Sequence, residues 1–169
     1  MAWATSPAAA VSADPRTTAL TKPGPRRAGV TVARVERRAV AIPNPYADRI
    51  GFSRAVRVGP FVSVGGTAPI GPDGKTVGEA DPATQARRCF EIIRQGLEGA
   101  GASLDDVVRT RTLLTRVADY EAVAAVRKEF VGHVKPVDTI MQVDGFVDPD
   151  WLVEIEADAV IADSAAWTE

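Results

Sequence analysis

The chain has 169 residues, 46% of them hydrophobic and 25% charged, which suits one soluble domain with a full core and leaves no room for two. A formal net charge of -2 disfavours a nucleic-acid partner held by bulk electrostatics, and no apolar run approaches the ~18 residues of a membrane helix. One cysteine, Cys89, and one histidine, His133, exclude an internal disulfide and are too few for the usual zinc site, so no metal or cofactor is expected and a reducing, cytoplasmic setting fits.

Residues 1–30 lack any period, carry Pro7, Pro15, Pro23 and Pro25, and are rich in Arg and poor in acids, as in a flexible extension. The same composition resembles a transit peptide. The ordered domain is expected over residues 31–162, with 163–169 as a tail. Val32–Val40 reads as a first strand. Phe52–Val58 and Phe61–Thr67, joined by Gly59-Pro60, read as a hairpin. Asp81-Pro82 is a helix start, with Ala86, Cys89, Phe90, Ile93 and Leu97 at helical spacing and a stop at Gly101. Val107–Leu114 is a β-branched strand carrying Arg109 and Arg111, and Asp119 is expected to cap a second helix with Val123, Val126 and Phe130 inside. Thr139–Val143 and Leu152–Ile161 are the last strands. This order predicts an α+β fold in two layers, two helices covering one face of a mixed sheet. The other face must then meet solvent or another subunit.

Two stretches carry candidate chemistry. In the last strand, Val153, Ile155, Ala157, Ala159 and Ile161 alternate with Glu154, Glu156 and Asp158, so three carboxylates share one face. Such a row is either a solvated outer face or part of a site, since like charges at this spacing repel. Gly65-Gly66 at the end of an apolar strand marks either a β-bulge or a close backbone approach. Cys89 reads as core and His133 as surface.

Phe52-Ser53-Arg54-Ala55-Val56, Val64-Gly65-Gly66-Thr67-Ala68-Pro69, the Asp81-Pro82 helix, Val107-Val108-Arg109-Thr110-Arg111, Pro136–Val143 and Val153–Val160 together resemble the RidA/YjgF/UK114 (Rid) family, in the right order over about residues 31–162. The resemblance implies a chorismate-mutase-like subunit in a homotrimer, with a cleft at each subunit interface and a small-molecule substrate. The best-known branch hydrolyses reactive enamines and imines to a ketoacid and ammonia. Carried over by position, Glu154 holds the hydrolytic water, Gly66 faces the ligand, and Phe52 and Ile140 stand in the cleft, with Thr67 beside Gly66 as a further substrate-binding candidate. Asp138 departs from the pattern, because the deaminase branch has there an arginine that grips the substrate carboxylate.

An acid in place of that cation reverses the local charge. With Glu154 beside it, Asp138 is expected either to share the acid/base work on a neutral or cationic substrate other than a simple 2-iminoacid, or only to cap a turn after Pro136. Arg54 is then the candidate replacement clamp, against the alternative of a snorkelling surface arginine. Three other readings stand beside the hydrolase: a ligand- or protein-binding trimer without turnover, a tailoring enzyme of a specialised biosynthetic pathway, and, ranked last, a ribonuclease.

Overall fold

A computed structural model describes residues 35–41 and 47–162, so the expected extension over 1–30 and the tail over 163–169 lie outside the described residues. The elements run β1 (Arg37–Val40), α1 (Ala47–Ile50), β2 (Ala55–Val58), β3 (Phe61–Thr67), α2 (Pro82–Gly99), β4 (Val107–Leu114), α3 (Tyr120–Val131), β5 (Val137–Gln142) and β6 (Val153–Val160). The strands form one mixed sheet in the order β1-β2-β3-β6-β4-β5, in which only β4 and β5 run parallel. Among the described residues no helix is long and apolar enough to cross a membrane.

Alternation decides which face is buried. Val62 and Val64 of β3, Thr110, Thr112 and Leu114 of β4, and Val153, Ile155, Ala157 and Ala159 of β6 are all buried. They pack against Ala86, Cys89, Phe90, Ile93 and Leu97 of α2 and Val123 and Val126 of α3. Phe90 and Phe130 stack across the two helices with centroids 5.1 Å apart. Neither α2 nor α3 lies over the opposite face, which bears Glu154, Glu156 and Asp158.

The ends of α2 are fixed as the sequence requires. The Asp81 carboxylate accepts from the Ala83 N–H at 3.1 Å, and Pro82 occupies the first helical position. At the far end, Arg57 donates to the Ala100 carbonyl at 3.0 Å, tying β2 to a helix C-terminus whose partial charge favours a cation. Asp119 behaves differently from expectation. Its carboxylate is held by Arg116 at 3.0 and 3.1 Å, its backbone is already helical, and it makes no side-chain cap to α3. The short α1 has no apolar period and was not expected. Strand β5 begins two residues earlier than expected, because parallel pairing with Arg109 and Thr110 of β4 draws Val137 and Asp138 into the sheet.

Gln85, fully buried on α2, joins three distant segments. Its amide nitrogen donates to the carbonyls of Gly78 at 3.1 Å and Asp150 at 2.8 Å, and its oxygen accepts from the Leu152 N–H at 2.7 Å. The segment leading into β6 is thereby clamped to the start of α2.

Candidate functional site

The site begins with an irregularity in β3. Val64 pairs with Ala157 and Thr67 with Ile155, so three steps on β3 match two on β6 and one residue is extra. Gly65-Gly66 is therefore a β-bulge, and it is also a close approach. A Cβ on Gly66 would overlap Glu154 Oε1 and lie 3.1 Å from its Cδ. Only glycine at 66 leaves room for the Glu154 carboxylate where it stands.

Arg54 braces the bulge from behind. Its Nη1 donates to the Gly66 carbonyl at 2.7 Å and to Thr67 Oγ1 at 3.1 Å, while Thr67 Oγ1 donates to the Gly65 carbonyl at 2.8 Å. Its stem lies against Gly96 of α2, where a Cβ would come 3.2 Å from Arg54 Cγ. Arg54 is only 7% exposed, which corrects the snorkelling alternative. Its buried Nε has no hydrogen-bond partner among the described residues, and its guanidinium lies 5.8 Å from the Phe52 ring centroid.

Bulge, arginine and glutamate meet in a pocket of about 420 Å³. Phe52, Arg54, Gly66 and Glu154 line it. Arg49 and Ile50 of α1, Val147 of the β5–β6 segment and Trp151 line it too, and the sequence reading did not assign them. Ile50 and Val147 are 65% and 86% exposed apolar side chains at the pocket, a signal visible in sequence only as apolar residues inside turn-rich segments. Trp151 is held by its Nε1–H, which donates to Thr76 Oγ1 at 3.1 Å.

Three expected site residues stand elsewhere in the chain. Thr67 is fully buried and supports the bulge without lining the pocket. Asp138 is on edge strand β5, where its Oδ1 accepts from Thr110 Oγ1 at 2.7 Å and lies 3.3 Å from Arg127 Nε. Ile140, two residues on, packs against the core. Thr110 and Thr112, the register partners of Asp138 and Ile140, are buried under the helices, so both residues are on the helix-covered face of the sheet, away from Glu154. The expected convergence of Asp138 and Glu154 does not occur within one chain.

The electrostatics of the pocket follow from this arrangement. Burial pushes the Glu154 carboxyl above the usual carboxylate range, the negative charge of Glu156 adds to the rise, and Arg54 opposes it. Burial also lowers the Arg54 guanidinium from its ordinary value, partly offset by Glu154; an arginine keeps its charge at neutral pH regardless. Below the site, the buried Cys89 thiol is pushed far up and is chemically quiet. Such a set offers a proton-exchanging acid and a fixed cation inside an apolar rim.

The profile of the family described as endoribonuclease L-PSP matches residues 44–161. An uncharacterized Streptomyces coelicolor protein is 35% identical over 116 residues, covering 69% of this chain and 86% of that protein. The 3-aminoacrylate deaminase RutC of Acinetobacter baylyi is 34% identical over 113 residues, covering 67% of this chain and 86% of the deaminase. In structure, a Mycobacterium tuberculosis member of the YjgF/YER057c/UK114 family superposes with a TM-score of 0.68 at 37% identity, over 75% of this chain and all of that one. With the family match over residues 44–161 and the mixed six-stranded sheet with two helices shared with such structures, the chain belongs to the RidA/YjgF/UK114 family, and its fold is YjgF-like.

Proposed function

We propose that the protein is a homotrimeric hydrolase of a reactive enamine, imine or related labile C–N compound, with Glu154 as the group that handles water and proton. The observation that carries this reading is the desolvated Glu154 carboxyl, set against the Gly66 bulge with no hydrogen-bond donor on it among the described residues. In the proposed reaction an enamine first tautomerises to the imine. Glu154 takes a proton from water as the oxygen adds to the C=N carbon. Glu154 returns that proton to the nitrogen, giving a neutral carbinolamine, and then carries the carbinolamine hydroxyl proton to the nitrogen as the C–N bond breaks, so imine plus water gives carbonyl plus ammonia. A carboxyl with a raised pKa suits both steps near neutral pH.

Arg54 is the proposed contact for a negative or electron-rich group of the substrate, and Phe52, Ile50, Val147 and Trp151 favour an apolar body larger than that of the simplest 2-iminoacids. In the proposed trimer, the family resemblance puts each cleft at a subunit interface. Asp138 is already engaged by Arg127 and supplies no cation there. The same substitution favours the competing reading, a binding trimer without turnover.

The test is release of ammonia and ketoacid from freshly generated 2-aminoacrylate and from the imine of a branched or aromatic amino acid. We expect faster turnover of the apolar imine, lowered about 100-fold or more by Glu154→Ala. Full activity in Glu154→Gln would overturn the role given to this residue, and saturable binding without product would select the binding trimer.

A further inference from the structure

The three acids of β6 are treated unequally by the strands beside them. Asp158 accepts from Ser63 Oγ at 2.9 Å and pairs in register with Arg109. Glu156, opposite Arg111, accepts from its Nε at 2.7 Å, and Arg111 Nη2 is 4.0 Å from Asp158 Oδ2. Glu154 lies opposite Leu113, so β4 offers it no donor. Glu156 is two residues from Glu154 on one strand face, about 7 Å away. Among the described residues, the charged or titratable groups around Glu154 are Glu156 on its own strand, Arg54 before β2 and Cys89 on α2 beneath the sheet, and Arg49 of α1 lines the same pocket.

We propose that Arg111 is a positioning residue for Glu154: by holding Glu156 it offsets part of the charge of the carboxylate nearest to Glu154 along β6, and so sets the pH range in which Glu154 exchanges its proton. This rests on Glu154 being the proton-handling group. Burial alone raises the Glu154 carboxyl, and the charge of Glu156 raises it further. An arginine on Glu156 limits that second contribution. Arg111 also extends to Asp158, so one guanidinium spans two of the three acids and leaves the third for chemistry. As a half-exposed ion pair it adds little to stability, so its effect belongs in a titration and not in a melting curve.

The experiment is a carboxyl ¹³C NMR titration of the full chain, with the Glu154 signal assigned by its loss in Glu154→Gln. Arg111→Gln is expected to raise the Glu154 midpoint by about half to one pH unit, and Arg111→Lys to restore it. Glu156→Gln should lower the midpoint, and the double variant Arg111→Gln/Glu156→Gln should return it close to wild type. The acid limb of the pH–rate profile should move in step. An unmoved midpoint in a folded Arg111→Gln protein, or one unmoved in Glu156→Gln, overturns the proposal. Turnover with an unmoved midpoint would remove the role of Arg111 and leave the hydrolase reading intact. The predicted midpoint shifts without turnover of any imine would support the charge coupling and overturn the hydrolase reading.

Discussion

Glu154 is placed where an ionised carboxyl is costly, and that cost has a measurable sign. An ordinary glutamate ionises near pH 4.3, whereas burial first and Glu156 second hold Glu154 above this range. A raised carboxyl pKa means that the folded state prefers the neutral form. Its favourable contribution is complete below the unfolded value and is lost as pH rises through the folded value. Glu154→Gln cannot ionise, so it should gain stability on wild type as pH goes from 4 to 7.5, with no such gain at the acid end. Urea denaturation at the two pH values checks this, and a pH-independent difference would mean the carboxyl is not desolvated. Strand alternation made Glu154 and its row legible in the sequence. The burial of Arg54 was not, because it depends on Gly96, a residue of α2 more than forty positions away that opens space for its stem. Nor could parity alone tell that Asp138 turns toward Arg127, since the face of an edge strand is set by its partner strand.

Among the elements, α2 does more than cover the sheet. Through Gln85 it fixes the chain entering β6, which carries Trp151 to the pocket. Replacing Gln85 by leucine fills similar volume but leaves the Gly78 and Asp150 carbonyls and the Leu152 N–H without their partner. Each such loss costs about 1–3 kcal/mol when the group stays buried, and partial rescue by solvent brings the expected total to about 2–4 kcal/mol. Equilibrium urea unfolding should show a lower midpoint with an unchanged slope; a midpoint within error of wild type would show that the clamp carries no weight. The start of α2 was legible because aspartate before proline does one local job. The start of α3 falls directly after Asp119 as expected, but the side-chain cap does not form, because Arg116, three residues before, takes the same carboxylate. A sequence motif names a possible partner and cannot rank the rivals for it.

At the scale of the whole molecule, one sheet face is covered by α2 and α3, and the other is left bare by them among the described residues. That bare face carries Val58, Phe61 and Val160, register neighbours that are each about 40% exposed. A contiguous apolar patch of this kind calls for a partner surface. The proposed homotrimer predicts a solution mass three times 17.9 kDa by light scattering, and a stable 17.9 kDa species would refute it. The two-layer arrangement was legible from the order of elements. The insertion of β6 between β3 and β4 was not legible from residue pattern, because long-range pairing leaves no local signature in a strand.

The engagement of Asp138 by Arg127 also has a consequence for mutational history. Converting Asp138 to arginine, the residue the deaminase branch uses, would set two guanidiniums side by side and remove the acceptor that now takes Thr110 Oγ1. Residues 138 and 127 are thus coupled, and an arginine at 138 sits best beside an Arg127 that keeps only its contact with the Pro136 carbonyl, which it already touches at 3.0 Å.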